Sequence, residues 1–76
     1  MTNEIKILEA AQKHYEYSMN LFRQYNNEND LEMKQILWAA CEEESGKADG
    51  LLYAYEIITG TKLYQHDIMD ELLAIA

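Results

Sequence analysis

The sequence predicts an all-α protein: an antiparallel hairpin of two long helices, then a short C-terminal helix, with a second copy completing a bundle as a homodimer. Three observations carry that expectation. The 76 residues include no proline and only three glycines, so little interrupts a helix. Apolar side chains recur at three- and four-residue intervals along two long segments. Between those segments stands NNEND (26–30), the clearest breaker in the chain.

The first helix is expected over residues 3–26. Ile7, Ala11, Tyr15, Ser18, Phe22 and Tyr25 share one broad face, with Leu8, Met19 and Leu21 flanking it. Lys6, Glu9, Lys13, Glu16, Asn20 and Arg23 fall opposite, and Glu9 and Lys13 stand in the favourable i,i+4 order. In NNEND, Asn and Asp side chains bond their own backbone and so stop one helix and cap the next. Asn29 followed by Glu32 fits the spacing of a capping box.

The second helix is expected over 30–59, and CEEESGKADG (41–50) is its test. Three glutamates and two glycines there resemble a loop. Yet Met33, Ile36, Leu37 and Ala40 before the stretch stay in helical phase with Ala48, Leu51, Ala54, Tyr55 and Ile58 after it. A loop has no reason to preserve that phase, so one helix is predicted, although each internal glycine costs about 1 kcal/mol relative to alanine. Gly60 is a natural terminator after Thr59. Residues 61–66 read as a connection. A last helix over 67–75 would place Asp67, Asp70 and Glu71 near its positive end, with Ile68, Leu72 and Ile75 on its apolar side.

A short turn makes the two long helices antiparallel neighbours. With the turn centred near residue 28, facing residues should have numbers summing to about 56–58. Phe22 then meets Leu37 or its neighbours, Ser18 meets Ala40 and Ile7 meets Leu51. The same arithmetic sets Glu44 against Lys13 or His14. A carboxylate inside an apolar seam needs a partner, so His14 and Glu44 are expected to form a buried polar pair. The second helix, about 40 Å long, outruns the first and leaves Tyr55 and Ile58 uncovered. Gly46, Gly50 and Ala54 form a small-residue ridge beside them. These five residues are the expected oligomer interface of the homodimer.

Composition narrows the function. The chain is long enough for one small domain, and such domains bury only about 60% of their unfolded surface, which is a further reason to expect a dimer. With 14 acids and six bases the net charge is −8. Residues 1–41 hold six acids and four bases, or −2, and residues 42–76 hold eight acids and two bases, or −6. Such a surface repels nucleic acid and anionic lipid and attracts basic proteins. No window approaches the roughly 20 apolar residues of a membrane span. One cysteine, Cys41, and no signal peptide point to a cytoplasmic protein.

No catalytic, cofactor or metal motif stands out. His14 and His66 are far apart, and neither follows a glutamate at the spacing of a di-iron site. The acids of EEE (42–44) and DIMDE (67–71) loosely resemble the carboxylate clusters of all-α nucleotide pyrophosphatases. The match fails because Glu42 and Glu43 are followed by Ser45 and Gly46 where a further glutamate belongs. Cys41 reads as a packing residue. No enzyme is therefore expected.

Trp38 projects away from the core face of the second helix, and Tyr53 points outward beside acids. Tyrosine and tryptophan are enriched at interfaces. Trp38 and Tyr53, with Glu42, Glu43, Asp49, Glu56, Asp67, Asp70 and Glu71, are the candidate surface for a protein partner with a basic face. Small, strongly acidic single-domain proteins of this kind resemble phage or mobile-element accessory proteins that inhibit host nucleic-acid machinery, anti-CRISPR proteins and DNA mimics among them. The resemblance is to a type, and no stretch matches a motif. It implies a non-enzymatic inhibitor of a basic nucleic-acid-handling protein. The alternatives are a structural homo-oligomer or assembly adaptor, and a small-ligand binder at a subunit interface.

Overall fold

A computed structural model describes residues 2–75 as α1 (Thr2–Asn27), α2 (Leu31–Thr59), a 3-10 turn (Gln65–Asp67) and α3 (Ile68–Ile75). The fold is all-helical, and the two long helices pack against each other. The shape is a rod of 45 × 20 × 16 Å, its length that of α2 at 1.5 Å per residue.

The turn between α1 and α2 is held by carboxylates. Glu28 accepts from the backbone N–H groups of Asn29 and Asp30, both at 3.1 Å. Asp30, in extended conformation, accepts from the N–H of Glu32 at 3.0 Å and so caps α2. The cap is thus Asp30 rather than the expected Asn29. The triple glutamate and both glycines lie inside α2. Gly60 ends it at φ 77°, in the left-handed region, and donates to the Glu56 carbonyl at 2.7 Å. The last helix begins one residue later than expected, because Gln65–Asp67 tightens into a 3-10 turn. There Tyr64 N–H donates to Asp67 Oδ2 at 3.2 Å.

The core sits at the end away from the hairpin turn. Leu8 and Ala11 of α1, Leu52 and Tyr55 of α2 and Ile68 of α3 bury one another. Ile7, Tyr15, Leu51, Leu63 and Leu72 pack around them. Towards the turn only Ser18, Leu21, Leu37 and Ala48 continue the buried line.

Several expectations are corrected here. Tyr55 is 3% exposed, because α3 folds back over it and Glu71 accepts from its hydroxyl at 2.8 Å. Tyr55 therefore cannot belong to an oligomer interface, and Glu71 is not a free surface charge. Met33, Ile36 and Phe22, expected inside, are exposed, whereas Ile58 is uncovered as expected. Two crossing helices touch along one line, and side chains to either side of it stay wet unless a third element covers them. Trp38 does point away from the main core, yet it is not left alone. Its ring tilts against Tyr25 at 5.4 Å and Phe22 at 6.4 Å between centroids.

Candidate protein-docking groove

α2 and the returning segment 60–64 enclose a groove of about 470 Å³, lined by Asp49, Leu52, Tyr53, Glu56, Lys62, Leu63 and Tyr64. Its geometry follows from three local causes. The left-handed Gly60 reverses the chain so that 61–64 runs back beside α2. Leu63 packs on the buried core and pulls the segment down. Gln65 then fastens it: Nε2 lies 3.1 Å from the Ser45 carbonyl, 3.0 Å from the Ser45 hydroxyl and 2.8 Å from Asp49 Oδ1.

The groove sets two carboxylates, Asp49 and Glu56, against one ammonium, Lys62. Two exposed aromatic rings, Tyr53 and Tyr64, form its rim. Lys62 Nζ lies 5.5 Å from the Tyr64 ring centroid, and the His66 imidazole stacks on that ring at 6.0 Å and 4°. His66 Nε2 is 3.3 Å from Asp67 Oδ1. A π face with carboxylates alongside suits a cationic side chain.

Further along the seam, His14 Nδ1 lies 2.7 Å from Glu44 Oε1. An ionised carboxylate only accepts, so the imidazole donates. Lys47 Nζ closes the cluster at 3.2 Å from Glu44 and 3.6 Å from Glu43. The hydrogen bond from His14, and then the one from Lys47, hold the Glu44 carboxyl below its usual range. Glu44 in turn raises the Lys47 ammonium. Cys41 donates to the Ser18 carbonyl at 3.3 Å. Burial, and secondarily Glu42, push its thiol up, which disfavours the nucleophilic thiolate.

The candidate surface residues therefore do not form one patch. Asp49, Tyr53 and Glu56 line the groove. Trp38 lies fifteen residues from Tyr53 on the same helix, about 22 Å away by helical rise. It belongs to a second hollow of about 360 Å³ with Tyr25, Leu31, Lys34 and Gln35, where Lys34 Nζ sits 4.4 Å over the Tyr25 ring. Glu42 and Glu43 lie between the two hollows and are exposed. Asp70 is exposed on α3. Gly46 and Gly50 are exposed with open space where a side chain would stand, and Ala54 is half-buried. The sequence reading missed Lys62, Leu63, Tyr64 and Gln65, because a non-helical segment has no period from which facing could be read.

Among the described residues no group of three His, Cys, Asp or Glu side chains is placed to hold a metal ion. No described helix is long and apolar enough to cross a membrane. Compared with known proteins, the chain matches no family model, and no curated protein or solved structure shows significant similarity to it.

Proposed function

We propose that this protein is a non-enzymatic, cytoplasmic interaction module that docks a basic protein through the groove between α2 and residues 60–64. One observation carries the reading. Asp49 and Glu56 stand beside the exposed Tyr53 and Tyr64 rings on a chain of net charge −8. Acidic surfaces steer basic partners and set register, while aromatic anchors supply contact area. The partner class that fits is a nucleic-acid-handling protein, whose phosphate-reading face is basic, so that this chain acts as its inhibitor in the manner of a DNA mimic.

The test is affinity capture on immobilised protein at low and high salt, comparing wild type with Glu42→Lys/Glu56→Lys and with Tyr53→Ala. The reading expects basic nucleic-acid-binding proteins to be retained at low salt, released by high salt and lost from both variants. Retention that ignores salt and charge reversal sinks it.

A second reading, a homodimer acting as a structural adaptor, draws support from Ile58 of α2 and Leu73 of α3, both exposed near the core end. Sedimentation over a range of concentrations decides it: a strict monomer removes it.

A further inference from the structure

Seven residues of α2 follow one another in alternating steps of three and four: Ile36, Ala39, Glu43, Gly46, Gly50, Tyr53 and Ile57. That is the spacing by which one helix packs along another over three heptads. All seven are exposed, with Ile36 at 61%, Tyr53 at 65% and Ile57 at 68%. They lie on the side of α2 turned away from Leu37, Ala48, Leu52 and Tyr55. A side chain built at Gly46 or Gly50 would meet nothing within 4 Å. Packing within the chain gives no reason for glycine at either position, although glycine weakens the helix that holds it.

One border of this face is formed by Glu42, Asp49 and Glu56, carboxylates at seven-residue intervals, and the other by Ala40, Lys47 and Ala54. The acids identify what can cover it. In an antiparallel pairing of two copies, the Glu42–Asp49–Glu56 border would face its own twin. In a parallel pairing Glu43 would meet Glu43. The antiparallel pairing sets like charges together, and in the parallel one Lys47 answers Glu42 but leaves Asp49 and Glu56 without a cation. A foreign helix with a basic border meets the same row favourably.

We propose that the partner engages this protein with an amphipathic α-helix laid along the outer face of α2, crossing closest at Gly46 and Gly50, with its Lys or Arg border against Glu42, Asp49 and Glu56. The inference rests on the docking reading above and names the element that docks. Tyr53 belongs both to this face and to the rim of the groove, so a helix seated here passes a basic side chain to Asp49 and Tyr64.

The experiment uses two fluorescent synthetic peptides of identical composition, rich in leucine, alanine and lysine. One carries leucine at alternating three- and four-residue steps with lysine on the borders, and in the other the order is shuffled. Binding to wild type, Gly50→Leu and Glu42→Lys/Glu56→Lys is followed by anisotropy, and the melting temperature of each variant is recorded. We expect the patterned peptide to bind wild type at least about tenfold more tightly than the shuffled one, a difference of roughly 1.4 kcal/mol. Gly50→Leu should remove that preference without lowering the melting temperature, and charge reversal should weaken both peptides. Equal, salt-sensitive binding of the two peptides overturns the helical face and leaves the docking reading standing. No binding of either removes both. Unchanged patterned binding by Gly50→Leu overturns the inference, as does wild-type self-association that Gly50→Leu abolishes, which would give the face to a second copy.

Discussion

At the end of the rod away from the turn, Leu8 and Ile68 are wholly enclosed and Tyr55 is nearly so. At the turn end the same two helices enclose far less, and Phe22, Met33, Ile36 and Trp38 all stay substantially in water. Helical phase is equally good in both halves. What differs is the third layer. α3 lies nearest α1, and through Ile68 and the Tyr55–Glu71 bond it closes the cleft between α1 and α2. The turn end has only an aromatic cluster, Phe22, Tyr25 and Trp38, leaning across the open cleft. Two helices define a line of burial, and a third is needed to make an interior.

That contrast can be broken by mutation. Ile68→Ala should cost the most, about 3 kcal/mol in urea unfolding, because its side chain has no exposed surface and the cavity cannot refill with water. A loss below about 1 kcal/mol would mean that α3 does not seal the core. Leu37→Ala, at the margin of the thin end, should cost about 2 kcal/mol or less. Equal losses at the two sites would erase the distinction between the ends.

The span joining the two ends responds with the opposite sign. Gly46→Ala and Gly50→Ala should each stabilise by about 0.8–1 kcal/mol, since the added methyl meets open space at both. A drop in melting temperature at either would show that a glycine is needed for the bend or packing of α2.

Tyr55→Phe keeps the ring and removes the bond to Glu71, a loss of about 1 kcal/mol near neutral pH. Burial first, and Glu71 second, raise the Tyr55 phenol above its ordinary value of 10.0. Its contribution is whole below that value and is lost as pH rises through the higher folded one. The variant should therefore shed part of the wild type's alkaline instability, which stability measured against pH will show.

The smallest effect belongs to Glu44, where the two ends meet. Its carboxyl is lowered from 4.5, so its contribution is present above that value and lost as pH falls through the lower folded one. Glu44→Gln should lower stability slightly in the neutral region and leave the acid end nearly unmoved, so that the acid limb of the profile flattens. An unchanged acid limb would show that the contact with His14 carries no protonation linkage.

These differences mark where the sequence could be read and where it could not. The continuity of α2 through EEESGKADG was legible, because apolar phase is a local property that survives polar interruptions. The approach of His14 to Glu44 was legible as well, since a tight turn and a fixed helical rise leave facing residues little freedom. The cover over Tyr55 was not. It depends on Gly60 reversing the chain, on Leu63 finding the core and on Gln65 reaching Ser45, and none of these leaves a periodic trace. Met33 and Ile36 were misjudged for the complementary reason: phase says which way a side chain points, but not whether anything stands there to meet it. The groove was half legible. Its α2 wall, Asp49, Tyr53 and Glu56, follows from outward projection, whereas the wall of Lys62 and Tyr64 requires the fold.

The amide of Gln65 has one further property. It owns two protons and stands within reach of three oxygens, two on Ser45 and one on Asp49. One oxygen is therefore surplus. A cation that claimed the Asp49 carboxylate would leave both protons a home on Ser45, so the clasp that shapes the groove would have no need to open.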